Sequence, residues 1–156
     1  MLESIVTDQE IFGFFGEYRF LSNFFLSTVE FRGITYFHSE GAYVAETRMR
    51  SIDMKLQVSY IESPRRAKEF GRTITPNHFL PITTRIGLMS SVLECKFEQN
   101  PDLLDRLLET GSENLVEANT WNDTFWGVNY RTRKGENHLG KALMRVREEL
   151  RILKGR

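Results

Sequence analysis

The sequence is short of cysteine, proline and net charge, and each shortage removes a class of protein. Its single cysteine, Cys95, cannot form an internal disulfide, which fits a reducing cytoplasmic setting. Its four prolines are scattered, and no Pro/Gly/Ser-rich tract or repeat interrupts the chain, so one domain is expected for 156 residues. Lys+Arg and Asp+Glu both total 21. Zero formal charge excludes a protein that coats nucleic acid through a broad basic field, though not a local phosphate site. No run approaches the roughly 18 apolar residues of a membrane span. The start, MLESIVTDQE, has neither a basic nor an apolar leader region, so no secretory signal is expected. The three histidines (His38, His78, His138) lack metal-ligand spacing, and no phosphate-loop or dinucleotide fingerprint is present. With no metal or cofactor expected, carboxylates must carry any chemistry, helped by aromatics and a bound phosphate.

Aromatics are abundant. Seven of the twelve phenylalanines (Phe12, Phe14, Phe15, Phe20, Phe24, Phe25, Phe31) precede residue 32. They imply an aromatic core under a small sheet, with a stacking role open for one or two. "STVEFRGITYF" reads as a hairpin turning at Arg32-Gly33. From Ser39, taken as a cap, Ala42, Tyr43, Ala45 and Met49 fall at helical spacing. A second helix is expected over Ile52 to Ile61. Ser63-Pro64 opens a third, closed by Gly71, and Thr73 to Pro81 is a loop. A long buried helix follows up to Gln99, with Ile86, Met89, Val92, Leu93 and Phe97 inward. Asn100-Pro101 starts the next helix, ended by Gly111, and "NLVEAN" is a short strand. Leu139, Leu143, Val146, Leu150 and Leu153 trace one face of the last helix. The fold class expected is α+β: a mainly helical single domain (12–153) with a small N-terminal β-sheet, after an N-terminal segment (1–11).

Several residues have two readings. Glu40 lies in a first helical turn, as a carboxylate complementing the helix dipole or as a reactive group. Asn122-Asp123 is an Asx-turn or part of a site. In "GENHLG", Asn137 caps the last helix, or that helix start offers free N–H groups to an anion near Arg131, Arg133 and Lys134.

Six segments occur in order: "FLSNFF" (20–25), "EFRGITYFHSEGAY" (30–43), "SPRRAKEFGR" (63–72), "KFEQNPDLLDRLLETG" (96–111), "LVEANTWNDTFWG" (115–127) and "GENHLGKALMRVREEL" (135–150). Together they resemble the NADAR family, the YbiA-like N-glycosidases. The resemblance implies a hydrolase that cuts the N-glycosidic bond between ADP-ribose or ribose 5-phosphate and a base-like leaving group. The implied substrates are a small nucleotide, such as a phosphoribosylamino-pyrimidine of riboflavin synthesis, or ADP-ribosylated guanine in nucleic acid. A non-catalytic ADP-ribose-binding module is the alternative. The implied catalytic residues are Glu40 and Asp123. The implied binding residues are Asn23, Ser39, Tyr43, Phe79, Trp126, Gly127, Arg131 and Asn137. Asp123 and Trp126 would form one wall of a site whose opposite wall carries Glu40, while Trp121 falls outside the motif and is assigned to packing. The family commonly reads S-E-H-x-x-Q-A-x-K, so Gly41, Val44 and Thr47 depart from it, and Arg48 offers a cation one place beyond Thr47. The loop before the long helix holds Phe79 and Leu80 where the family usually has a tryptophan.

Overall fold

The computed structural model describes residues 1–156. In chain order the strands are β1 (Ile5–Val6), β2 (Glu10–Phe12), β3 (Val29–Phe31), β4 (Ile34–Tyr36), β5 (Asn114–Val116), β6 (Ala118–Asn119) and β7 (Val128–Asn129). The helices are α1 (Ser39–Arg48), α2 (Ile52–Ser59), α3 (Pro64–Ile74), α4 (Ile82–Gln99), α5 (Pro101–Glu109) and α6 (His138–Leu153). The fold is α+β, mainly helical, with small sheets of few strands. The chain divides into two compact units, Asn23–Pro101 and a discontinuous one made of Met1–Ser22 with Asp102–Arg156.

In Asn23–Pro101, β3 and β4 form the expected hairpin, with Val29 opposite Tyr36. Arg32 and Gly33 both have positive φ (50° and 87°), as a tight two-residue hairpin turn requires. Helix α1 is buried along almost its whole length. Its Ala42, Val44 and Ala45 join Phe31, Tyr36, Val58, Ala67 and Val92 in one apolar cluster. Burial of each large side chain there contributes about 1.5–3 kcal/mol. Glu46, also buried, is paired with Arg32 of the hairpin turn (3.0 Å) and Lys55 of α2 (3.3 Å). A charge taken out of water requires such partners. At the end of α4 the Gln99 amide brackets β3: it accepts from the Glu30 N–H (2.7 Å) and donates to the Glu30 carbonyl (2.8 Å).

Three local expectations change here. The cap of α1 is His38, not Ser39: its Nδ1 accepts from the Gly41 N–H, and Ser39 is the first helical residue. Gly71 does not end α3, which is capped by Ser63 as expected but runs on to Ile74. The glycine is there for contact, since a Cβ at 71 would lie 2.6 Å from Val44 Cγ1 and 2.9 Å from Arg48 Cδ. Helix α2 ends at Ser59 rather than Ile61.

In the other unit, β1 and β2 pair antiparallel, with Ile5 opposite Phe12 and Val6 opposite Ile11. Strand β5 adds to β2 in parallel, with Ile11 opposite Leu115. β6 and β7 form a second parallel pair. Leu139, Leu143, Val146 and Leu150 of α6 are buried, whereas Leu153, expected on the same face, is exposed. Arg147 ties α6 to the α5–β5 connection by donating to Thr110 Oγ1 (3.0 Å) and the Glu113 carbonyl (2.9 Å). Of the early phenylalanines, Phe12, Phe14 and Phe20 in this unit and Phe31 in the other are buried. No helix is long and apolar enough to cross a membrane.

Candidate functional site

The candidate residues form two constellations, one in each unit. In Asn23–Pro101 the first turn of α1 is clipped to Asn23 twice. The Ser39 hydroxyl donates to Asn23 Oδ1 at 2.8 Å, and the Glu40 N–H donates to the Asn23 carbonyl at 3.2 Å. The Asn23 amide group also reaches Met89 Sδ at 3.2 Å. Asn23, Ser39 and Glu40 are all buried, so these bonds form away from water and fix the turn in one arrangement. The three residues named from the sequence are therefore brought together.

Tyr43, three residues beyond Glu40, faces the same surroundings. Burial pushes its hydroxyl up to about 12, while the Arg85 guanidinium opposes that rise through its charge and a hydrogen bond. Glu40 and Arg48 also act on Tyr43 electrostatically. Arg48 is pulled below its ordinary value by burial first, with Arg72 and Arg85 acting in the same direction and Tyr43 and Glu40 against it. Its guanidinium donates to the Thr75 carbonyl and stands 3.4 Å from His78 Nε2. The Thr75 hydroxyl in turn donates to the Arg48 carbonyl at 2.6 Å. His78 is pushed down by partial burial, then by Arg48, Arg85 and Arg72. Arg48 and Arg85 thus act on Tyr43 beside Glu40, and Arg72 acts on Arg48 and His78. None of the ion pairs in the structure uses Arg48 or Arg72.

Arg72, Arg85 and His78 were not singled out in the sequence. Arg72 sits inside the quoted "SPRRAKEFGR" stretch, but nothing in the spacing of these residues along the chain shows that they meet. Phe79 is half-buried, and one face of its ring is already covered by the Arg50 guanidinium, 3.8 Å from the centroid. An open cavity of about 700 Å³ lies along α3, lined among others by Phe37, Tyr60, Ile61, Arg66 and Phe70. It includes none of Glu40, Tyr43, Arg48 or Arg85, so this hollow and those residues do not coincide.

In the other unit, Asp123 forms the Asx-turn that was one of its two readings. Its Oδ1 accepts from the Phe125 N–H (3.2 Å) and the Trp126 N–H (2.9 Å). Asn119, fully buried and not foreseen as important, holds this loop. Its Oδ1 accepts from the Asp123 N–H (3.1 Å), and its Nδ2 donates to the Asp123 carbonyl and to Glu117 Oε2, both at 2.8 Å. Trp126 is half-buried and meets Phe125 edge-on, with centroids 4.9 Å apart. Gly127 is required by close approach, since a Cβ would fall 1.9 Å from Glu117 Oε2 and 2.1 Å from the Glu117 carbonyl oxygen. Trp121, assigned to packing, is instead 56% exposed. It lies in the Asn119–Asp123 turn, whose backbone bonds to Asn119 and leaves that side chain outside.

Two readings of "GENHLG" are also corrected. Asn137 stands at the cap position of α6 with φ 52°, but its side chain does not cap. Its Oδ1 accepts from the Glu117 N–H (3.0 Å), and its Nδ2 donates to the Leu115 carbonyl (3.0 Å). Three N–H groups at the helix start are likewise not free for an anion. Those of Asn137, His138 and Leu139 donate to the carbonyls of Gly127, Phe125 and Trp126. Of the basic residues nearby, Arg133 pairs with Glu10 (3.0 Å) and covers the Phe12 ring at 4.0 Å. Arg131 is exposed.

The family model described as "NADAR domain" matches residues 8–151. The chain belongs to the NADAR domain family. Among NADAR relatives, it is 33% identical over 141 residues to an N-glycosidase YbiA of Escherichia coli, covering 88% of this chain and 85% of that one. An N-glycosidase of Acanthamoeba polyphaga mimivirus is 39% identical over 95 residues, which are 54% of this chain and 52% of the relative. A chloroplastic riboflavin biosynthesis protein PYRR of Zea mays is 30% identical over 122 residues, 75% of this chain but 19% of the maize protein. The match thus spans about half of the viral protein and about a fifth of the maize one. The NMR structure of E. coli YbiA superposes with a TM-score of 0.79 at 29% identity, covering 96% of this chain and 89% of that one.

Proposed function

We propose that this chain is an N-glycosidase that cleaves the bond between the anomeric carbon of a ribose 5-phosphate or ADP-ribose group and a nitrogen of a base-like leaving group. One observation carries the reading: a buried carboxylate, Glu40, in a turn clipped by Asn23, interacting electrostatically with Tyr43 and Arg48, on which Arg85 also acts, while Arg72 acts on Arg48. Departure of the base leaves positive charge on the anomeric carbon and ring oxygen. A preorganised carboxylate stabilises that charge, and in a water-poor pocket it does so strongly. Water then adds to the carbon, the C–N bond is replaced by C–O, and the proton ends on the leaving nitrogen. The arginines supply what a phosphate or diphosphate needs, since planar guanidiniums bind such oxygens in pairs. Asp123 is carried as a candidate by its motif, and its Oδ1 holds the turn that presents Trp126.

The names of the relatives support the reaction class, and that of the maize relative supports riboflavin-pathway aminopyrimidines as one substrate class. ADP-ribosyl-guanine in a single-stranded or extruded position is the other. A second reading, binding of ADP-ribose without cleavage, is favoured by Val44 and Thr47, which stand at polar family positions. Here Val44 is buried core, and the Thr47 hydroxyl bonds back to the Tyr43 carbonyl at 2.7 Å. The deciding experiment offers both substrate classes to the wild type and to Glu40→Gln and reads free base by mass spectrometry. Release that survives Glu40→Gln removes the carboxylate from the mechanism; tight ADP-ribose binding with no release from any substrate selects the second reading.

A further inference from the structure

His38 is fully buried, yet both of its ring nitrogens are engaged. Nδ1 accepts from the Gly41 N–H at 2.8 Å, and Nε2 lies 3.1 Å from the Ile61 carbonyl oxygen. A peptide N–H only donates and a carbonyl only accepts, so the two partners dictate a neutral imidazole with its proton on Nε2. Either of the other states would set two donors face to face at Gly41.

The ring is also shaped by what residue 41 lacks. A Cβ there would fall 3.0 Å from His38 Cε1 and 3.1 Å from Nδ1, so a side chain at 41 and this imidazole compete for the same space. Glu40 lies between the two. Its own N–H goes to the Asn23 carbonyl, and the next one goes to His38. The imidazole also reaches outward, because Ile61 belongs to the chain that leads from α2 to α3 and lines the open cavity there.

We infer that His38 and Gly41 are a positioning pair for Glu40: the neutral ring caps the turn that carries the carboxylate and tethers it to the Ile61 carbonyl. The inference rests on the proposal that Glu40 is catalytic. His38 itself touches no substrate, since it has no exposed surface. Its effect is on where the carboxylate stands, and displacement of such a group by about 1 Å lowers turnover on the order of a hundredfold.

The test compares His38→Ala, His38→Asn and Gly41→Ala in the full chain, using whichever of the two substrates the wild type cleaves. An asparagine offers Oδ1 where the ring offers Nδ1, so it keeps the cap and loses only the tether. The expected result is a drop in kcat of about ten- to a hundredfold for His38→Ala, with KM within about threefold, and recovery of most of it by His38→Asn. Gly41→Ala is expected to lower kcat with His38 still present. Equal kcat for His38→Ala and His38→Asn, or a loss confined to KM, would overturn the inference. A substrate-free reading guards against misfolded variants: ¹⁵N NMR of the wild type at neutral pH should show the proton on Nε2 of His38. A proton on Nδ1, or a charged ring, overturns the pair outright. The outcomes also separate the two proposals. Activity surviving in Glu40→Gln removes the catalytic carboxylate whatever His38 does, whereas a dead Glu40→Gln beside a fully active His38→Ala removes only the positioning pair.

Discussion

Arg48 Nη2 stands 3.4 Å from His78 Nε2, so a guanidinium faces an imidazole whose protonation it disfavours. Partial burial lowers the pKa of His78, and Arg48, Arg85 and Arg72 lower it further. An anion seated among these groups would remove part of that repulsion. Titration of the His78 ring by NMR, with and without inorganic pyrophosphate, should show its pKa rising when the anion is present. A pKa that does not move would place phosphate binding elsewhere. Without ligand, the folded pKa of His78 lies below its ordinary 6.5. Its contribution to stability is therefore complete above pH 6.5 and declines as the pH falls from there towards the folded pKa.

Arg72 is exposed, takes part in no ion pair and acts on both Arg48 and His78. Arg72→Gln should therefore raise KM for a phosphorylated substrate by about tenfold, the effect of roughly 1.4 kcal/mol, with kcat little changed. Steady-state kinetics at two salt concentrations checks this, and the difference should shrink at the higher one.

The bond between Ser39 and Asn23 joins two buried side chains, so removal of either partner strands the other. Ser39→Ala and Asn23→Ala should each cost about 1–3 kcal/mol in urea unfolding. The double variant should cost less than the sum, with a coupling on the order of 1 kcal/mol. Additive losses would mean that the bond contributes nothing.

Lys96 is fully buried in α4, and burial pulls its ammonium down to about 7. The unfolded chain holds that proton up to about pH 10.4. The unfolded state therefore binds more protons across the interval, and stability contributed through Lys96 should rise from pH 7 towards 10. Lys96→Met, of similar length, should flatten this slope and raise the stability at pH 7. Denaturant midpoints for both proteins at pH 7 and pH 9 decide it, and parallel pH dependences would count against a depressed Lys96.

At Gly127 the opposing atoms include a backbone carbonyl, which cannot swing aside. Gly127→Ala should lower stability by roughly 2–4 kcal/mol and loosen the turn that carries Trp126. Thermal melts read the first effect, and the fluorescence maximum of the Trp121→Phe background, where Trp126 is the sole tryptophan, reads the second.

Elements governed by neighbours in the chain were legible. Arg32-Gly33 turned the hairpin, Ser63-Pro64 opened α3, and the apolar spacing of Met89, Val92, Leu93 and Phe97 marked the buried face of α4. The family was legible too, because six ordered motifs survive as a string. Elsewhere local rules pointed the wrong way. Serine is a better cap than histidine on average, but His38 wins at α1 because Ile61, distant in sequence, accepts from its other nitrogen. Gly71 looked like a stop, yet it is the point where Val44 and Arg48 crowd α3. Asn137 looked like a cap, yet its amide is used on Leu115 and Glu117.

The sequence by itself determined the order of the helices, which depends on residue type and short-range spacing, and the family, whose resemblance named the candidate carboxylates. Only the tertiary structure decided which polar groups are already committed: Asp123 Oδ1 to a turn, the start of α6 to the carbonyls of 125–127, and Arg133 to Glu10. It also decided which cations act on Arg48, beside Glu40. Hydrogen-bond partners and electric fields act through space, and Arg48, Arg72 and Arg85, from three different helices, share a field that no spacing along the chain encodes.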